Sequence, residues 1–589
     1  MTRSFALSTI FWACCSTLAQ AAESGTASAE LAAAAEGWFE ASLELNPLRA
    51  TYLGDGRFNN RLANYLGAEH RAASAALDRE YLDRILAIDP EPLDRQDRLT
   101  FEIFRLNLEN SFEMRGFPEH LLAINQFYSF ANQFAQLGSG TSAHPFATEK
   151  DYRDFLARIA DFVVLTDQAI ANLRVGLDSG VTQPRILMER TIGQLNALNQ
   201  DFPDSVFYGP IENFPQDLPE AARASLTDDF TQAYAEQLRP ALRRLHDFLR
   251  DDYLPRTRAS VGLSDLPQGA DWYAALVRQT TTTDLTPEEI HQIGLDEVAS
   301  IHGEMRQVME EVGFDGDLDE FFEYVKTEPD FYYDEPEQLI EGYRAMSDHV
   351  QSLAPALFER FPRSEFEVRA VEPFREQSAA GGSYLAGTPD GSRPGIFYAN
   401  TYDIGSRPKW EMESLFLHEA IPGHHYQISL QREIEDLPSI RRFGGYTAFI
   451  EGWALYTESI GKELGLYTDP YQYFGALNAE LWRAIRLVVD TGLHAKGWSR
   501  EDVLAYMFEN SAQGEASAVS EAERYIAIPS QALAYKIGEL KIRELRDRAE
   551  SALGGDFDVR EFHTQVLEDG ALPLSLLEAK IDNWIESRQ

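Results

Sequence analysis

Apolar side chains recur three and four residues apart along nearly the whole chain, a spacing that fits one face of an α-helix and not a strand. Segments such as AARASLTDDFTQAYAEQLRPALRRLHDFLRDDYL and TPEEIHQIGLDEVASIHGEMRQVMEEVG carry it unbroken. Thr286, Pro287, Glu288 and Glu289 make a helix start: a capping hydroxyl, a proline suited to the first turn, and acids near the N-terminal dipole. One stretch interrupts the pattern, from Ser364 to about Pro408. There Phe366, Val368 and Ala370 alternate with charged neighbours as a half-buried strand does, GGSYLAGTPDGSRPG reads as turn material, and IFYANT suits a second strand. The expected fold is mainly α, with a small β-sheet ahead of a histidine-rich segment. At 589 residues the chain is long enough for a large two-lobed body. A soft boundary near residue 280, around RQTTTTDLTPEE, separates an N-terminal helical lobe (22–280) from a C-terminal lobe (281–589), the two forming one integrated unit.

The first 21 residues read as a secretory leader: Arg3, an apolar run from Phe5 to about Leu18, and the small-x-small pattern Ala19-Gln20-Ala21. Both cysteines, Cys14 and Cys15, lie inside it, so a chain cleaved after Ala21 has no thiol, disulfide or cysteine metal ligand. Ala13-Cys14 also offers a lipoprotein processing site as an alternative, although Phe11-Trp12 matches such a site poorly. No later apolar run is long enough to span a bilayer, so the expected product is exported, periplasmic and without a transmembrane segment. The formal charge of −43 excludes a phosphate-binding surface, hence nucleic acid, and otherwise serves solubility.

The histidine-rich segment is FLHEAIPGHHYQ, residues 416–427. In the zinc motif H-E-x-x-H the two histidines stand four apart, about 40° around a helix and one turn along it. Here the fourth position after His418 is Pro422, which cannot bind metal. On a regular helix His424 would lie about 120° away from His418, and His425 about 10 Å further along, so neither could share an ion with it. The helix must deform, and Pro422-Gly423 supplies the deformation. With two residues looped out, His424 returns to the place of a fourth-position histidine. His425 then serves substrate or the surroundings of the ion, and stands in reserve as a ligand. A third ligand comes from FIEGWALYTE, where Glu451 sits among Phe449, Ile450, Trp453 and Leu455, an expensive place for an uncompensated carboxylate. Glu458, two turns later on the same face, either orients a ligand or is solvated. Three ligands with an open fourth position mark a catalytic zinc site, and no redox ligand set points to iron.

With these residues in view the chain resembles bacterial domain-of-unknown-function family 885, whose signature is H-E-x-x-P-G-H followed by E-G-W-A-L-Y-x-E. The blocks TTTTDLTPEEIHQIGLDEV, DGSRPGIFYANT, LHEAIPGHHYQ, FIEGWALYTE and RYIAIPSQALAYKIG all match, with Pro529-Ser530-Gln531 where the family has P-G-Q. That family looks related to the helical gluzincin metallopeptidases, which take two His from an H-E-x-x-H helix and a Glu from a following one. Dipeptidyl peptidase III, whose motif also carries an insertion before the second His, is an analogy. The resemblance implies a metallopeptidase-like helical body with the sheet beside the active-site helix.

The expected reaction is zinc-assisted amide hydrolysis of short or unfolded peptides. Zinc on His418, His424 and Glu451 polarises a water and the scissile carbonyl, and Glu419 takes the water proton and passes it to the leaving amine. The block RYIAIPSQALAYK is the best source of an oxyanion donor, Tyr535 first and Tyr525 as alternative. Arg524, Lys536 and Arg393 are candidates to hold a peptide carboxylate. The strand from Gly395 to Thr401, Tyr398 included, is a candidate to pair with the substrate backbone at an exposed edge. The alternatives are an exported peptide-binding protein without catalysis and a zinc hydrolase of non-peptide amides or esters.

Overall fold

The computed structural model describes residues 6–372, 376, 379–388 and 393–589, with side chains from residue 25 onward. The leader expected over residues 1–21, with its two cysteines, lies outside the residues whose side chains are described. The chain is mainly helical with one small sheet, and divides into two compact units. One comprises residues 1–259 and 438–440, the other 260–437 and 441–589. The division falls ahead of the expected boundary near 280, because the helix Gly269–Thr281 packs with the second unit: Tyr273 Oη donates to buried Asp490 at 2.6 Å.

The first unit is all helix among its described residues apart from one isolated bridge. Its long helices are α1 (Ala6–Leu45), α2 (Ala68–Leu86), α3 (Arg95–Met114) and α4 (Glu149–Ser179). Thr148 caps α4 through a reciprocal box with Asp151, and Gly180, in the left-handed region at φ 78°, ends it. On the apolar face of α4, Phe155 and Phe162 both stack on Phe134. Arg158 on the same helix is wholly buried, and its donors reach Thr51 Oγ1 (2.6 Å), the Arg61 carbonyl (3.0 Å) and His144 Nδ1 (2.8 Å).

The second unit contains α5 (Pro287–Val312), opened by the Thr286–Glu289 box that the sequence suggests. A sheet follows, with β1 (Phe366–Ala370), β2 (Gly382–Leu385) and β3 (Gly395–Ala399) in the order β1-β3-β2. β1 pairs parallel with β3, Val368 opposite Phe397, and β2 antiparallel with β3, Tyr384 opposite Phe397. Two expectations are corrected here. The segment read as turn material contributes β2. And the strand expected to offer an exposed edge is the central one, with its backbone groups engaged on both sides. Phe397 packs on Tyr343 and Phe416, so Tyr398, pointing the other way by strand alternation, lies on the face away from the histidine helix.

The remaining frame is α6 (Met412–Glu419), α7 (His424–Glu433), α8 (Thr447–Ser459), α9 (Pro470–Ala495), α10 (Glu515–Ala527) and α11 (Ala534–Leu553). α8 and α11 cross at Gly452 and Gly538, where a Cβ on Gly538 would collide with the Ala448 carbonyl oxygen. Only two glycines let these backbones approach so closely.

Two buried histidines couple this fold to pH. Burial pushes His144 down to about 4 and His563, bonded to the Leu357 carbonyl and Tyr456 Oη, down to about 3. The unfolded chain takes up these protons near pH 6.5, whereas the folded chain resists until well below. Their full contribution is therefore present above pH 6.5 and is lost as pH falls from there toward 4 and below. The urea midpoint is expected to drop over this window by the equivalent of a few kcal/mol, and a midpoint flat between pH 7 and 4 refutes this account.

Candidate metal centre

Helix α6 stops at Glu419 and α7 begins at His424, with the Ile421–Pro422 bond cis and the segment 420–423 folded back on the end of α6. Gly423 lies so close to the Leu417 and His418 carbonyl oxygens that a Cβ there would overlap both. The detour brings the His418 and His424 rings to 4.7 Å between centroids, at 81° to each other. Glu451 of α8 completes the group. One ligand atom from each of His418, His424 and Glu451 lies within 4.8 Å of the others. Glu451 Oε2 is 3.6 Å from His418 Nε2 and 3.4 Å from His424 Nε2. It is buried and accepts no hydrogen bond. Burial alone would raise this carboxyl, yet the two imidazoles hold it well below the usual carboxylate range.

His418 is oriented from behind. Its Nδ1 donates to Glu458 Oε1 at 2.7 Å, which turns Nε2 toward Glu451 and makes it the ligand atom once its proton is displaced. Ser414 Oγ donates to the other Glu458 oxygen, and Arg483 lies 3.6 Å from Oε1. Burial acts to lower His418, but Glu451 and Glu458 outweigh it and push the metal-free imidazole up to about 9. α8 grips the detour at two more points: Trp453 Nε1 donates to the Pro422 carbonyl (2.8 Å) and Thr457 Oγ1 to the Leu417 carbonyl (3.0 Å). Neither residue was singled out from sequence for this task, although both sit inside the EGWALYTE block. Glu419 is buried beside β2, and a Cβ on Gly382 would lie 3.2 Å from its Cγ.

The donor set of two imidazoles and one carboxylate, converging on a buried oxygen without a hydrogen bond, fits a divalent cation. A family model for bacterial proteins of unknown function (DUF885) matches residues 47–581. The chain belongs to this family. A crystal structure of a candidate lipoprotein from Colwellia psychrerythraea is similar, at 29% identity and TM-score 0.88, covering 95% of this chain and 99% of that one. A candidate lipoprotein of unknown function from Shewanella oneidensis shares the fold at 18% identity and TM-score 0.75, covering 93% and 99%. No curated protein matches.

Against this DUF885 frame the other expected site residues separate. His425 does not face the cluster: its Nδ1 lies 3.0 Å from Tyr384 Oη and its ring packs on Phe366, which ties α7 to the sheet. Burial pushes it down to about 4, and its part is structural, so His424 is the second histidine of the cluster. Tyr535 of α11 stacks on His418, with ring centres 6.3 Å apart and planes at 17°. Tyr525 instead donates to Glu521 Oε2 (2.6 Å) and accepts from Arg486 Nε (2.9 Å), supporting the arginine.

Of the expected carboxylate anchors, Lys536 and Arg524 are otherwise occupied. Lys536 is fully buried among Glu480 (2.5 Å), Glu297 (3.0 Å) and Glu539 (3.0 Å), an internal ion cluster that takes up its charge. Arg524 spends its donors on Glu521 and Gln531. Arg393 closes the β2–β3 connection, Nη2 donating to the Ala386 carbonyl at 2.8 Å, while its Nη1 is buried without a hydrogen bond among the described residues. Tyr398 is on the far face of the sheet, as described above. Sequence reading missed Arg486, which lies on α9 with its guanidinium carbon 4.6 Å from the Tyr535 ring centre; no motif around it gives a signal.

Because Gly423 abuts two carbonyl oxygens, Gly423→Ala is expected to cost about 1 to 3 kcal/mol of stability, the range for overpacking a filled site. A lowered urea midpoint checks this, and a wild-type midpoint would show that the detour tolerates a side chain.

Proposed function

We propose that this protein is an exported zinc-dependent hydrolase that cleaves peptide bonds in short or unfolded peptides. The observation that carries the reading is the buried Glu451 oxygen, without a hydrogen bond and flanked by two imidazole nitrogens at 3.4 and 3.6 Å. His418, His424 and Glu451 would hold the ion, and when bound it supplies Lewis acidity toward a water and a scissile carbonyl. Glu419, adjacent in sequence to one ligand, takes the proton from the attacking water and delivers it to the leaving amine. Tyr535, stacked on His418, donates its hydroxyl toward the developing oxyanion. Burial raises this phenol, so it keeps its proton at neutral pH.

Substrate alignment falls to β2. Its inner edge pairs with β3, its outer edge has no strand partner among the described residues, and Gly382 abuts Glu419. An extended peptide added there as a further strand runs beside the general base. Export is supported by the leader pattern and by the lipoprotein description of the Colwellia psychrerythraea relative; a periplasmic location follows, with Ala13-Cys14 as the route to a lipid-anchored form. No described helix is long and apolar enough to cross a membrane.

Two measurements test the reading. Purified protein is expected to carry about one zinc per chain, and Glu419→Gln to keep that zinc while losing about 10²- to 10⁴-fold in the rate of cleavage of a mixed peptide library. Full activity in Glu419→Gln removes the assigned base. Glu458→Gln, which weakens the hold on His418, is expected to lower zinc affinity about 10- to 100-fold, read by competition with a chromogenic chelator. Unchanged affinity in that variant would show that His418 needs no such support.

A further inference from the structure

Beside the cluster lies a second arrangement of charge. Arg486 is 8% exposed, and its guanidinium lies over two aromatic rings, Tyr525 at 5.9 Å and Tyr535 at 4.6 Å, the second of which stacks on His418. Two of its nitrogens are engaged: Nε donates to Tyr525 Oη at 2.9 Å and Nη2 to Glu521 Oε2 at 3.1 Å. The third, Nη1, is buried and has no hydrogen-bond partner among the described residues. An unmatched buried donor on a charged group is costly; Arg393, Arg483 and Arg500 each carry one as well, and what sets Arg486 apart is its place 4.6 Å from the ring of Tyr535, which stacks on His418.

The charges around it do not balance. Glu521 is the carboxylate that Arg486 and Arg524 share, and Arg524 binds it twice at 3.0 Å. Asp490 is the next acid whose field reaches Arg524, but it is tied to Tyr273 Oη and the Ser530 amide, and burial pushes it up to about 7. Arg483, whose guanidinium also lies near Tyr535, has Glu458 3.6 Å away, a carboxylate it shares with His418. Two guanidiniums against one carboxylate leave a positive charge over. It lies in a chain whose formal charge of −43 repels anions elsewhere. The distances of 4.6 Å from Arg486 to Tyr535 and 6.3 Å from Tyr535 to His418 keep this charge within about three extended residues of the cluster.

We infer that Arg486, through Nη1, binds the free C-terminal carboxylate of a peptide substrate, so that the site reads peptides from their C-terminal end. The inference rests on the hydrolase reading of the same site and narrows its substrate class. Guanidinium and carboxylate match as planar fork and planar acceptor, and a C-terminal amide offers neither the charge nor the second acceptor oxygen. Tyr525 and Glu521 hold the fork in place before substrate arrives, which lowers the ordering cost of binding.

The test compares a mixed pentapeptide library bearing free C-terminal carboxylates with the same library capped as C-terminal amides. Wild-type protein is expected to cleave the acids about a hundredfold more efficiently than the amides, by kcat/KM, and to release products of one to about three residues from the C-terminal end. Arg486→Gln and Arg486→Lys are each expected to shrink that ratio at least tenfold or so, chiefly through KM for the acids. Equal cleavage of the two libraries by wild type overturns the inference and leaves the hydrolase reading standing, and it needs no variant to fold. If neither library is cleaved the hydrolase reading fails. Retention of the two libraries on the zinc-loaded protein, read by mass spectrometry, then decides carboxylate recognition by itself. Selective capture of acids that Arg486→Gln abolishes supports it, and equal capture overturns it.

Discussion

A carboxylate oxygen inside a protein, with no hydrogen bond and two imidazole nitrogens at ion-pair range, is the constraint around which the second unit is arranged. Left alone, Glu451 Oε2 would bear the full cost of desolvation. Every neighbouring element answers that cost. α6 and α7 break between them so that His418 and His424 arrive from either side of a Pro-Gly detour, and α8 carries the carboxylate at the register where both rings meet it. A protonated imidazole balances the charge when no ion is present, which is why the metal-free His418 is driven up to about 9 against its burial. A divalent cation would replace that proton while satisfying all three ligands.

The two motifs work as one piece of structure. Along α8, Glu451 meets the imidazoles, Trp453 holds the Pro422 carbonyl, Thr457 holds the Leu417 carbonyl and Glu458 holds His418 Nδ1. These residues span two turns of a helix, so a shift of α8 by one residue would rotate all four contacts by about 100° and lose them together. What prevents the shift is the crossing with α11 at Gly452 and Gly538, where the backbones meet too closely for any side chain. The same crossing fixes α11, and thereby Tyr535, against His418.

Much of this was legible in the sequence, for reasons that differ from residue to residue. Helical spacing reports burial of one face, so the helical body and the interruption at 364–408 could be read directly. His418, His424 and Glu451 could be read because a proline at the fourth position is chemically impossible as a ligand and forces a detour, and because an acid among aromatics needs compensation. Strand order could not be read: nothing in IFYANT distinguishes a central strand from an edge, since both faces of this sheet are partly covered. Lys536 shows a further limit. A basic residue in a motif suggests an anion, whereas here it neutralises Glu480, Glu297 and Glu539, acids drawn from three separate places in the chain. Arg486 was silent because its meaning lies in what it lacks, a partner for one nitrogen, and only three-dimensional neighbours show that.

The strand order also limits where the peptide of the proposed function would lie. With β3 engaged on both sides, an added strand has to use β1 or β2, and only β2 runs beside Glu419. The face of the sheet turned toward the helices is tied down by Phe397 on Phe416, by Phe366 on His425 and by Tyr384 on His425. The ties to His425 account for two adjacent histidines: His424 belongs to the cluster, and His425 anchors the strand that lies over it. A kink that turns one imidazole toward Glu451 necessarily turns its neighbour about 100° away along α7, into the sheet. The His-His pair thus sets the distance between ligand cluster and strand edge, the space that a scissile bond would fill under the proposed hydrolase function.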